Sequence, residues 1–224
     1  MAPQRPKHLE RCSMAKIYLV RHGESVANTK GIYQGQTYNT PLSAMGKKQA
    51  VALANHFEKI NIDRVLASPL KRTKQTALGV AMFKGISLIE EYKIIETNHG
   101  EWEGLEKKVI EERWPNIYQL WLKRPADTEF PGGETFRETE ERTIHWWNNL
   151  VIENKDTLVV THDNIIRIIV AKILGFPLNN IWQFQLHPAA VTTVEINGND
   201  QKILNLNDKG HLTNLIADLD KHAL

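Results

Sequence analysis

Short apolar runs of strand-forming residues alternate with stretches of helical periodicity along most of this chain. That alternation constrains the fold more than any other feature. Residues 16–20, 64–67, 86–89 and 157–161 are short and mostly apolar, as strands covered on both faces must be. After the first, Ser43 can cap a helix in which Ala50, Leu53, Ala54 and Phe57 keep helical spacing. After the second, Ser68 and Pro69 read as an N-cap and a first helical residue. A long helix is predicted over about 134–152, with Phe136, Thr143, Trp147, Leu150 and Val151 facing inward. Another starts near Asn164, buries Ile165, Ile168 and Ile169, and stops at Gly175 before Pro177. Residues 190–196 and 202–206 read as strands joined at Asn197-Gly198-Asn199-Asp200, a hairpin sequence. The prediction is an α/β fold: a three-layer α/β/α sandwich with a mostly parallel sheet and one antiparallel edge strand.

Residues 97–134 break the pattern. They are rich in tryptophan and charge, and are interrupted by Pro115, Pro125 and Pro131-Gly132-Gly133. Helical pieces near 105–113 and 116–122 fit a helical lid excursion from the sheet, and such excursions often cover active sites. A short helix-like stretch is also predicted at 213–219.

Composition narrows the class. A hydrophobic share of 42% with 24% charged residues is that of a soluble globular chain able to bury a core. A net charge of +2 gives no reason to expect nucleic acid or a membrane surface as partner. Cys12 is the single cysteine, so an intrachain disulfide and a multi-cysteine metal site are excluded, and a cytoplasmic location is expected. No apolar run has the length of a membrane-spanning helix. Residues 1–13 carry Arg5, Lys7 and Arg11 without an apolar core, a poor secretory signal. Residues 1–14 are read as a disordered extension, with Met14 available as a second start, and 15–224 as one domain. Tryptophans left exposed would point to a homodimer.

The chemistry sits at strand ends. The first strand ends abruptly in Arg21-His22-Gly23, where a cation, an imidazole and a flexible backbone meet. Ligands of parallel sheets bind at this end. Arg72 falls in the first turn of the helix after the second strand, and His162 follows the 157–161 strand just before another helix. Helix N-termini supply free N–H groups and a positive dipole end. Two guanidinium groups and two such ends describe a site for a dianion. Each residue alone has a plainer reading: a surface ion pair for either arginine, a structural histidine for His162. The joint pattern carries the argument.

That pattern resembles the histidine phosphatase superfamily, which includes phosphoglycerate mutases and small-molecule phosphatases. The matching segments run in order: Arg21-His22-Gly23-Glu24-Ser25 with Asn28, Gln34-Gly35, Pro41-Leu42-Ser43, and Gly46-Lys47-Lys48-Gln49-Ala50. Then come Ser68 through Ala77, Glu96 before Gly100-Glu101-Trp102-Glu103-Gly104, Pro131-Gly132-Gly133-Glu134, and Thr161-His162. The resemblance implies that His22 is a nucleophile forming a phosphohistidine. It implies that Arg21, Asn28, Arg72 and His162 hold the phosphoryl oxygens, and that Glu96 exchanges a proton with the leaving oxygen and then with water. Gln34 and Gly35 would line the substrate side. No cofactor and no metal is implied, and fixed cations can stabilise phosphoryl transfer by themselves.

The chain departs from the family pattern at Asp163, where glycine usually follows the second histidine. The reading favoured is that Asp163 turns away and caps the helix near Asn164. Lys123 and Arg124 admit two readings, an exposed basic helix end or a clamp for an acidic substrate group. Trp102 and Trp121 are the tryptophans best placed to touch substrate, whereas His99 and His187 could line the pocket but default to surface or structural roles. Function is expected to be a metal-independent phosphomonoesterase acting on a small phosphorylated metabolite. The alternatives are a phosphoglycerate mutase and a phosphate-binding scaffold without turnover.

Overall fold

A computed structural model describes residues 14–222; the predicted N-terminal extension therefore lies, but for Met14, outside the described residues. Six strands form one sheet: β1 (Ala15–Arg21), β2 (Arg64–Ala67), β3 (Leu88–Glu90), β4 (Thr157–Thr161), β5 (Val191–Asn197) and β6 (Asp200–Asp208), in the spatial order β3-β2-β4-β1-β5-β6. The pairs β1–β4, β4–β2 and β2–β3 are parallel, whereas β5 runs antiparallel to both β1 and β6. The single reversed strand is thus β5, with β6 outside it as the edge. Asn197 pairs with Asp200, so the hairpin turns on Gly198 and Asn199, with Gly198 at φ 59.

Period-two alternation splits the core between the two faces of the sheet. Ile17 and Leu19 of β1 join Leu66, Val159, Ile165 and Ile169 in one cluster; Tyr18 and Val20 join Leu53, Phe57, Val65, Val80 and Val160 in the other. Helices α1 (Ala44–His56) and α2 (Lys71–Lys84) cover the second face. The first is covered by α5 (Phe136–Ile152) and α6 (Asp163–Leu174), together with the short helices α3 (Lys107–Arg113) and α4 (Pro115–Lys123).

Local signals explain most helix ends. Ser43 accepts the Gly46 N–H and starts α1. Thr135 and Glu138 form a reciprocal capping box at the start of α5, and Gly175 ends α6 in the left-handed conformation. Two expectations fail. Ser68 does not cap α2, which begins at Lys71 after Leu70; its hydroxyl bonds His162 instead. The predicted helix at 213–219 is absent, and that segment is turns followed by one short helical turn at Leu219–Lys221.

The 97–134 excursion is packed into the core. Trp102, Trp121 and Phe130 are fully buried and meet edge to face, with ring centroids about 5 Å apart. Its two ends are tied where Gly100 passes the Pro131 carbonyl. A Cβ at Gly100 would lie 2.1 Å from that oxygen, so only glycine permits the approach.

Candidate active site

Strand pairing brings the two histidines together. Arg21 is in register with Thr161, so the next residues, His22 and His162, emerge side by side at the sheet's C-terminal edge. Their rings lie 5.3 Å apart, edge to face. The His22 N–H extends the ladder to the Thr161 carbonyl, and Ala189 N–H caps the Arg21 carbonyl at 2.9 Å. Ala189 does so at φ 59, a conformation a non-glycine residue adopts at a cost, which sequence reasoning gave no reason to suspect.

His22 is buried and held in one tautomer. Nδ1 donates to the Gly23 carbonyl at 2.7 Å, which leaves the Nε2 lone pair free to accept from Arg72 Nε at 3.2 Å. Burial, then the charges of Arg72 and Arg21, push its pKa well below the usual value. The ring is therefore neutral at pH 7, with the Nε2 lone pair facing Arg72.

The two arginines are fixed by carbonyls. Arg72 Nη2 donates to the Gly35 carbonyl at 2.8 Å, and Arg21 Nη1 to the Leu186 carbonyl at 2.6 Å. Arg21 Nε, Arg72 Nη1 and His162 Nδ1 are buried without a hydrogen-bond partner. A buried unpaired donor costs about 1–3 kcal/mol, so those on the two arginines that line the cavity can receive the oxygens of a bound anion. Burial lowers the Arg72 pKa to about 10, which leaves it a cation.

Arg21, His22, Asn28, Gln34, Gly35, Arg72 and Glu96 all line one cavity of about 30 Å³, with Ile32, Tyr33, His99 and Asp163 completing it. Its size suits a few non-hydrogen atoms, on the order of two or three water-sized groups. Asn28 is oriented by its Oδ1, which accepts from the Ser25 N–H and hydroxyl. Gln34 Oε1 accepts from the Ser25 and Thr40 hydroxyls. Gly35 sits at φ 50, and a Cβ there would overlap Glu103. His162 stands behind His22, its Nε2 2.7 Å from the Ser68 hydroxyl, and is kept neutral by burial and by Arg72.

Glu96 is one of two carboxyl groups that line the cavity. Desolvation pushes its pKa up to about 7, against the opposing pull of the Thr97 N–H, which Oε1 accepts at 2.9 Å, and of Arg72. Its main chain is held from below by Arg142, which donates to the carbonyls of Lys93, Ile95 and Glu96 and pairs with Glu134. Glu103, in a run that reads as solvated surface, accepts from the N–H groups of Gln36, Thr37 and His99 and fixes the wall opposite. Arg142 carries no motif of its own, and Glu103, though inside a matching segment, was given no role there; only their partners reveal them.

Three further expectations need correction. Asp163 does not turn away and does not cap α6; His162 occupies the cap position. The Asp163 carboxylate is buried, faces the cavity, and pairs with Arg21 at 3.1 Å and Arg167 at 2.5 Å. These two cations hold the carboxylate inward beside the cavity. His99 is neither surface nor remote: it lines the cavity, and burial drops its pKa to about 3. Lys123 and Arg124 are exposed at the end of α4 and do not line the cavity, and Arg124 pairs with Asp127 at 2.6 Å. Trp102 is sealed in the core, whereas Trp121 lines a second cavity of about 360 Å³ with Trp182, Phe184, Arg167 and His222. Arg21 lines both cavities. His187 bonds Asn207 outside the first cavity.

Among the described residues no group of three or more His, Cys, Asp or Glu side chains could hold a metal ion, and no helix is long and apolar enough to cross a membrane.

Comparison with known proteins identifies the family. Phosphoserine phosphatase 1 of Hydrogenobacter thermophilus is 34% identical over 217 residues, covering 93% of this chain and 99% of that protein. The adenosylcobalamin/alpha-ribazole phosphatase of Escherichia coli is 27% identical, covering 81% of this chain and 90% of that one. The crystal structure of the alpha-ribazole phosphatase from Shigella flexneri superposes with a TM-score of 0.80 at 26% identity, over 87% of this chain and 96% of that chain. The model of the histidine phosphatase superfamily (branch 1) matches residues 17–209, and the chain belongs to that family.

Proposed function

We propose that this protein is a phosphomonoesterase that transfers the phosphoryl group of a small phosphorylated metabolite first to His22 and then to water. The observation that carries the reading is the pairing of a neutral, oriented His22 with Glu96, whose pKa is pushed up to about 7, across one cavity walled by two arginines.

In the first step His22 Nε2 attacks phosphorus. The Nε2–P bond forms, the bond from phosphorus to the leaving oxygen breaks, and protonated Glu96 gives that oxygen its proton. In the second, Glu96 takes a proton from water, the water oxygen bonds phosphorus, and the P–Nε2 bond breaks. The hydrogen bond from His22 Nδ1 to the Gly23 carbonyl stabilises the positive charge the ring acquires. Arg21, Arg72 and Asn28 receive the phosphoryl oxygens, whose charge spreads in the transition state. His162 supports the same end of the cavity. Gln34 and Gly35 border the space for the leaving group. Residues 15–224 act as one functional unit, since residues spread from Arg21 to Asp163 line a single cavity. The reading needs no metal, cofactor, nucleic acid or membrane and places the enzyme in the cytoplasm.

The names of the relatives make phosphoserine and ribazole phosphate the first substrates to try. Hydrolysis of an aryl phosphate should persist in EDTA and vanish in His22→Ala, with acid-labile, alkali-stable phosphate labelling of the unsubstituted protein. Loss of activity in EDTA, or full activity in His22→Ala, refutes the reading. Isomerisation of phosphoglycerate faster than its hydrolysis would make the protein a mutase instead.

A further inference from the structure

Two carboxylates line the phosphoryl cavity, Glu96 and Asp163, and the mechanism uses only the first. Asp163 is 1% exposed. Its Oδ1 lies 3.1 Å from Arg21 Nη1, and its Oδ2 accepts from Arg167 Nε at 2.5 Å. Arg167 is itself locked. It donates to the Ile181 and Phe184 carbonyls, and its guanidinium lies 5.1 Å from the Trp182 ring centre. Arg21 Nη1 is also bound to the Leu186 carbonyl. These three side chains therefore form a rigid wall between the two cavities. Asp163 lines only the first, Arg167 only the second, and Arg21 both.

A carboxylate facing a dianion site opposes binding, so its presence has a cost that the wall's geometry explains. The neighbouring guanidinium groups outweigh burial and keep Asp163 ionised. Arg21, Arg72 and Arg167 contribute three positive charges near the cavity and Asp163 removes one. The balance of two matches a phosphate dianion instead of exceeding it.

We infer that Asp163 is a positioning residue that limits phosphate affinity: it occupies Arg21 Nη1 and subtracts one charge from the cationic wall, so that inorganic phosphate leaves after hydrolysis. The inference rests on the phosphoryl-transfer reading above. It goes beyond a structural ion pair because it assigns the carboxylate an effect on a bound anion.

The test is calorimetric titration of inorganic phosphate into the wild type and Asp163→Asn, with melting temperatures alongside. The dissociation constant should fall about tenfold in the variant, from the loss of one like charge at short range in a medium of intermediate dielectric. Product inhibition should strengthen to match. Asp163→Asn leaves Arg167 without its counter-ion, so a second variant, Asp163→Asn/Arg167→Gln, removes the opposite charges together. There phosphate binding should still tighten, by less, because Asp163 borders the cavity and Arg167 does not. A lower melting temperature with an unchanged dissociation constant in the folded variants would overturn the role of Asp163 alone. Failure of both the wild type and the folded Asp163→Asn variant to bind phosphate would overturn the phosphoryl-transfer reading and this inference with it.

Discussion

Replacing Glu96 with glutamine should make this protein slower and, above neutral pH, more stable. The carboxylate is buried beside the cavity with a pKa raised from 4.5 to about 7. A raised carboxylate pKa means that the folded state holds its proton more tightly than the unfolded state. Stability is therefore greatest below the unfolded value and is lost as pH climbs through the folded one. The rise corresponds to about 3 kcal/mol of folding free energy, retained near pH 4 and fully lost above pH 7. Glutamine keeps an oxygen for the Thr97 N–H but cannot ionise, so it recovers part of that loss at pH 8 and little at pH 4. Activity should move the other way. Loss of a general acid costs on the order of 10²–10⁴ for an alkyl phosphate, whose leaving oxygen must be protonated. The cost should be far smaller for p-nitrophenyl phosphate, whose leaving group departs as an anion. The assay is kcat/KM for both substrates from pH 5 to 9, with urea unfolding at pH 5 and pH 8. In the wild type the alkyl rate should fall on the alkaline side of about pH 7, and Glu96→Gln should lack that limb. Equal losses on the two substrates, or a variant no more stable at pH 8 than the wild type, would refute the assignment.

Other outcomes follow from the surrounding contacts. Arg142→Ala removes the donors that hold the main chain at 93–96, so hydrolysis of alkyl phosphates should drop about tenfold and stability by about 2 kcal/mol, read by steady-state kinetics and urea titration. Gly133→Ala would place a Cβ 2.3 Å from the Asn98 carbonyl, and because that contact is with backbone the 96–99 segment must shift. A loss of about 2 kcal/mol with a fall in kcat is expected, visible in thermal melts and aryl phosphate assays. Lys123→Ala and Arg124→Ala should change kcat/KM by less than about twofold for every phosphorylated acid tried, because both side chains are exposed and away from the cavity. A larger loss would restore them as substrate contacts.

Glu96 and Arg142 illustrate a conflict within the fold. The desolvation that makes Glu96 a useful acid at neutral pH also weakens the folded state above it, and the four acceptors of Arg142 offset that cost by fixing the main chain below. The excursion closes the same corner, since Gly100 and Gly133 allow its two ends to touch. Trp102, Trp121 and Phe130 then bind it to the core, so the lid is a packed wall.

What the sequence determined by itself was local or periodic. The apolar strands, the cap at Ser43, the stop at Gly175 and the hairpin at Gly198 depend on neighbours a few residues away. Arg21, His22, Arg72, Glu96 and His162 were legible because ordered motifs carry them, and all but His162 line the cavity. Where a distant partner competed, local reading failed. Pro69 favoured a helix start at Ser68, but the Ser68 hydroxyl is taken by a histidine 94 positions away. Asp163 looked like a cap because an inward carboxylate would repel phosphate, while the cation that draws it inward, Arg21, arrives from another strand. Tertiary structure alone decided the pairing of β1 with β4, which sets His22 beside His162, and the burial that governs Glu96 and His99. Strand order and solvent exclusion arise from the whole chain at once, so no short segment encodes them. Sequence chose the chemical groups, and packing chose their protonation states and partners.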